Sequence, residues 1–230
     1  MIKFLPILLA LGYGILMVRF SAWSTARNLD ANATEMTDPV LSSLINKMAK
    51  ALDLPRIKVH IYEIEPINGL AAPDGRIFLT RGFFDRYEAG LVSPSELASV
   101  VAHELGHVAL GHTRRRMIDF SGQNAVRTAL AMVLNRFLPG VGVVIANSVM
   151  SLLMARLSRV DEYEADAYAA ALLVKSGIGT SAQKSLLERL PHLTGAHGAT
   201  TPAWLLSHPK TEERVKAIEK LERDWGIAST

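Results

Sequence analysis

The segment from Ser93 to His112 constrains this chain more than any other, because it marks where a helix begins and what that helix must carry. Ser93, Pro94 and Glu96 supply a capping serine, a proline at the first helical position and a glutamate three residues after the cap, the strongest helix start in the sequence. The stretch VVAHELGHVALGH, from Val100 to His112, follows with three of the chain's seven histidines, and the helix is predicted to run to about Arg116. One helical turn and about 40° separate His103 from His107, so both imidazoles face one point and can share an ion at about 2.0–2.1 Å. Glu104 turns toward the neighbouring strip, where its carboxylate can reach a water beside that ion without displacing it. Leu97, Val100, Val101, Leu105 and Val108 fill an adjacent arc, which puts the histidines at the border of a core, at the floor of a cleft. His112, nine residues after His103, falls off the shared face and reads as local structure.

With seven His and thirteen Glu in 230 residues, random order produces HExxH about once in a hundred such chains. The pair therefore needs a third ligand, and the absence of cysteine rules out thiolate, leaving carboxylate or imidazole. The segment EYEAD supplies Glu162, Glu164 and Asp166 on a predicted helix. Glu162 and Asp166 share a face one turn apart, whereas Glu164 is rotated by about 200° and points elsewhere. With Glu162 as the ligand, Asp166 is placed to accept the free N–H of a ligating histidine.

Around this pair of segments the chain reads as α+β and mainly α. Thr37 can cap a helix with Pro39 in its first turn and Val40, Leu41, Leu44, Ile45, Met48 and Leu52 on one stripe. Residues 56–62 and 76–80 read as strands, residues 182–190 and 211–225 as helices, and a long helical pattern from Val143 ends at Gly177. At 49% hydrophobic and 20% charged, the chain is ordinary for one folded domain. A net charge of +3 and a pI near 9.2 fall short of a nucleic-acid footprint, so no nucleic-acid partner is expected; Arg114, Arg115 and Arg116 read as a solvated helix end.

Two charge-free runs bear on membranes. Phe4 to Val18, fifteen residues between Lys3 and Arg19, fits a single-pass anchor (residues 1–21), the apolar core of a cleaved signal, or a buried helix. Phe137 to Ala155 reads as a buried helical hairpin, or one dipping into the bilayer surface, rather than a span, given Pro139, Gly140 and Gly142. Residues 22–36 read as a polar tether and residues 37–230 as the folded domain.

HELGHVALGH, then EYEADAYA beyond a long hydrophobic insert, and LSHPKTEERVKAI near the C-terminus resemble the membrane-associated zinc metallopeptidases of the HtpX and CAAX-prenyl-protease type, which are gluzincins. NGLAAPDGRIFLTRG is similar to the segment preceding the zinc helix there. The resemblance implies a zincin-like fold with a small sheet beside the HExxH helix and one zinc ion (Zn2+) per chain. It makes His103, His107 and Glu162 the ligands, Glu104 the general base and acid, and Asp166 the group behind the ligands. Ile77, Phe78, Leu79 and Thr80 match the edge strand lying along the substrate cleft. His208 becomes a candidate for approaching the zinc or the oxyanion, or else a structural loop residue. The implied protein is an endopeptidase acting on unfolded or membrane-associated polypeptides at a bacterial inner membrane. Its rivals are a non-cleaving membrane-bound chaperone or scaffold with a structural zinc site, and a basic nucleic-acid-binding protein.

Overall fold

The computed structural model describes residues 19–20, 23–24, 26–72, 74–112, 131, 134–135, 137–194 and 211–227. The apolar run 4–18, the arginines 114–116 and His208 lie outside them. Chain contacts divide the protein into two units, one of Met1–Ala31 with Thr113–Leu157 and one of Asn32–His112 with Ser158–Thr230.

The second unit contains a four-stranded mixed sheet formed by β1 (Ala33–Glu35), β2 (Val59–Tyr62), β3 (Gly69–Ala71) and β4 (Ile77–Thr80), in the order β1-β2-β4-β3. The β2 and β4 strands run parallel, while β1 on β2 and β3 on β4 run antiparallel. Its helices are α1 (Pro39–Ala51), α2 (Arg81–Glu88), α3 (Pro94–Ala109), the part of α4 (Gly142–Lys175) from Ser158, α5 (Ser181–Leu193) and α6 (Thr211–Asp224). The mainly helical character and the small sheet agree with the reading of the sequence.

Local chemistry explains most of these elements. Asp38, rather than Thr37, caps α1: its Oδ1 accepts from the Leu41 N–H at 2.7 Å, and Pro39 follows in the first turn. Leu41, Ile45 and Met48 then face the core, while Val40, assigned to the same stripe, is exposed. At the start of α3 both halves of the capping box form, with Ser93 Oγ accepting from the Glu96 N–H at 3.2 Å and Glu96 Oε2 from the Ser93 N–H at 2.7 Å. The second Glu96 oxygen accepts from Ser185 Oγ at 2.8 Å and Arg189 Nη1 at 2.9 Å, tying the first turn of α3 to α5. Leu97, Val101 and Ala102 of α3 pack with Ile77 and Leu79 of β4 in the main core.

Four expectations are corrected. Residues 33–35 are not part of a tether: they form β1, and the backbone also pairs Met36 N–H with Val59 and Glu63 N–H with Asn32. A polar three-residue strand carries no alternating signature, since its pairing is all main chain. The zinc-helix candidate α3 stops at Ala109 rather than Arg116. Ile77–Thr80 is not an edge strand, because β4 is paired on both sides and all four residues are buried; the edges are β1 and β3. Finally, the run 137–155 is a turn followed by the beginning of α4, and Phe137 and Val144 are 74% and 61% exposed rather than buried. Among the described residues, no helix is long and apolar enough to cross a membrane.

Candidate metal centre

Three side chains from two helices converge at the middle of the second unit. His103 and His107 project from α3 one turn apart, with ring centroids 4.8 Å apart and planes at 90°. Glu162 comes from α4 and is completely buried. The inward atoms form a tight triangular cluster of the three side chains: His103 Nε2 to His107 Nε2 is 3.2 Å, His103 Nε2 to Glu162 Oε2 is 3.3 Å, and His107 Nε2 to the other carboxylate oxygen, Oε1, is 3.4 Å. A tetrahedral ion with bonds of about 2.0–2.1 Å sets its ligand atoms roughly 3.3–3.4 Å apart, so these residues could hold zinc as they stand.

The close approach of the helices is a glycine's work. A Cβ on Gly106 would lie 2.9 Å from the Ala165 carbonyl oxygen and 3.0 Å from its Cα. Gly106→Ala therefore wedges α3 from α4 and widens the triangle. A stability loss of about 1–3 kcal/mol is expected despite the better helix propensity of alanine, with weaker metal retention, checked by urea unfolding and metal analysis.

Behind the triangle, His103 Nδ1 lies 3.0 Å from Asp166 Oδ1. Arg214 of α6 grips the same carboxylate with both prongs, Nε to Oδ2 at 2.6 Å and Nη2 to Oδ1 at 2.7 Å. Gln183 of α5 donates to the Asp166 main-chain oxygen at 3.2 Å. Burial pushes the Asp166 carboxyl up, but Arg214 outweighs it and holds that group well below the usual carboxylate range. Burial likewise opposes a charge on His103, yet Asp166 and Glu162 outweigh it and push its pKa up to about 9. A metal ion bound through Nε2 would have to displace the proton there.

Glu104 is buried beside the triangle without belonging to it, and it borders β3, where a Cβ on Gly69 would come within 3.1 Å of Glu104 Oε1. A small, mostly apolar cavity opens next to it, lined by Phe83, Val100, Leu187 and Leu190 with Glu104 and Arg214.

The structure thus brings together His103, Glu104, His107, Glu162 and Asp166, and sets β3, not β4, alongside them. Two residues were missed. Arg214 sits in TEERVKAIEK, a run that reads as a solvated amphipathic face, and nothing local marks it as buried. On the premise of a helix continuous to about Arg116, His112 lies off the ligand pair's face and away from the site. Gly111 breaks that premise: with φ of 72° it turns the chain after α3, so that His112 is fully buried with Nδ1 3.0 Å from His107 Nδ1.

The model of peptidase family M48 matches residues 35–222. Among curated relatives, metalloprotease LoiP of Escherichia coli is 27% identical over 77% of this chain and 68% of its own length. Metalloprotease YcaL of the same organism is 30% identical over 75% of this chain and 66% of its own. The beta-barrel assembly-enhancing protease of Escherichia coli is 29% identical over 82% of this chain, which spans 40% of that longer protein. A family match over most of the sequence, on a fold that gathers its HExxH histidines against a buried glutamate, leads to one statement: the chain belongs to peptidase family M48 and is a metallopeptidase.

Proposed function

We propose that this chain is a zinc-dependent endopeptidase, with His103, His107 and Glu162 holding one zinc ion and Glu104 as general base and acid. The observation carrying this reading is the convergence of two imidazole nitrogens and both oxygens of one buried carboxylate at separations of 3.2–3.4 Å, a spacing and donor set that suit zinc. Zinc held there supplies a Lewis acid that polarises the scissile carbonyl and eases loss of a proton from the attacking water. Glu104 takes that proton at a carboxylate oxygen and delivers it to the nitrogen of the departing amine. Asp166, clamped by Arg214, holds the Nδ1–H of His103 so that its Nε2 faces Glu162 and His107. An extended substrate pairs with the edge of β3, Gly69–Ala71, which has no further strand on it among the described residues and lies beside Glu104.

Such main-chain pairing asks little of sequence, which suits unfolded or membrane-associated polypeptides as substrates; the name of the beta-barrel assembly-enhancing protease points the same way. The run from Phe4 to Val18 anchors the chain in a bacterial inner membrane. Supporting this are its fifteen charge-free residues and the exposed Phe20 and Trp23 on its flank.

Stripping the purified chain with a chelator is expected to abolish cleavage of unfolded casein, and stoichiometric zinc to restore it; His103→Ala should neither hold zinc nor cut. Cleavage that survives stripping overturns the reading. Full zinc content with no turnover of any unfolded polypeptide points instead to the non-cleaving chaperone.

A further inference from the structure

His107 has a supporting group that neither its spacing nor its helix announces. We propose that His112 is the positioning residue of His107, a neutral imidazole that accepts from His107 Nδ1–H and is itself held by Glu164 and Asp161. The inference rests on the zinc reading above and concerns how one ligand is kept in place.

The assignment follows from counting hydrogens along the chain of contacts. His107 Nε2 faces Glu162 and His103, so as a ligand it leaves its hydrogen on Nδ1. That atom lies 3.0 Å from His112 Nδ1, and two N–H groups cannot face each other at this distance. His112 Nδ1 must therefore be bare and accept, which puts its one hydrogen on Nε2. Glu164 Oε2, 2.9 Å from His112 Nε2, accepts that hydrogen, and Asp161 Oδ1 at 3.7 Å adds a nearby negative charge that favours the same tautomer. The same residues, His112, Asp161 and Glu164, are close enough to form a second metal cluster. The hydrogen count excludes a metal there while His107 is a ligand, because His112 Nε2 then has no lone pair to offer.

Each ligating histidine so acquires its own support. His103 leans on a carboxylate locked by an arginine, and His107 on an imidazole locked by carboxylates. The second support exists only because Gly111 adopts φ of 72°, returning His112 toward α3.

The test uses the purified full chain and free zinc ion, with affinity read by competition against a chromophoric chelator. His112→Leu should bind zinc about 10–100-fold more weakly than wild type, the range for lost ligand support. His112→Asn, whose amide can accept at one end and donate at the other, should recover most of the affinity. In the wild-type chain loaded with zinc, imidazole 15N NMR should show His112 neutral with its hydrogen on Nε2, a readout that needs no variant to fold. A doubly protonated His112, one carrying its hydrogen on Nδ1, or equal zinc affinity in His112→Leu and wild type overturns the proposal alone. A wild-type chain that takes up no zinc overturns the metal reading together with it.

Discussion

Glu104→Gln should keep its full complement of zinc and lose casein cleavage by about 10²–10⁴-fold in kcat, the usual worth of a positioned general base. The two halves of that result come from separate features of the site. Zinc content is unaffected because Glu104 lies outside the triangle of His103, His107 and Glu162 and glutamine preserves its volume beside Gly69. Turnover falls because an amide cannot take a proton from water at neutral pH, and the other carboxylates at the site are committed: Glu162 is engaged by both histidines and Asp166 by Arg214. Metal analysis and a casein assay on one preparation measure both halves. A substituted chain that cuts at the wild-type rate would remove Glu104 from the mechanism.

Arg214→Met should be the most damaging single change to stability, at about 3–5 kcal/mol, because it strands a buried carboxylate. Asp166 is 2% exposed, and Arg214 supplies two of its short hydrogen bonds. The cost reflects the orphaned charge more than the value of the pair, so Asp166→Leu combined with Arg214→Met should cost much less than the sum of the single changes. The pH dependence has a definite sign. Asp166 ionises in the folded chain well below the range of an unfolded carboxylate, so its contribution is complete at neutral pH and is lost only as pH falls below about 4. The gap between wild type and Arg214→Met should therefore be wide at pH 7 and close on the acid limb of urea unfolding. A gap that widens with acid contradicts the role given to the pair.

What could be read from the sequence was whatever a single helix decides. His103 with His107, and Glu162 with Asp166, are i and i+4 pairs, so helical period alone sets each pair on one face. The relation between the two pairs, down to donor atoms 3.2–3.4 Å apart, depends on the Gly106 and Ala165 contact, which no periodicity reports. Arg214 was illegible for a related reason. It belongs to a charged helix, and only the packing of α6 turns one of its cations inward onto Asp166. His112 stays off the ligand face as its spacing predicts, and its return against His107 depends on one backbone angle at Gly111. In the sheet, the alternation of Val59 and Ile61 marks β2, but strand order is a tertiary property: the resemblance implies an edge at Ile77–Thr80, whereas the three-residue β3, too short for any pattern, takes that place.

X-ray absorption at the zinc edge of the purified wild-type chain reads the ligand set itself. One zinc per chain, bound by two imidazoles with oxygen at the remaining positions and bonds of about 2.0–2.1 Å, is the predicted result, with the imidazole signature diminished in His107→Ala. A metal-free chain, or a zinc signal without imidazole that is unchanged in His107→Ala, would contradict it.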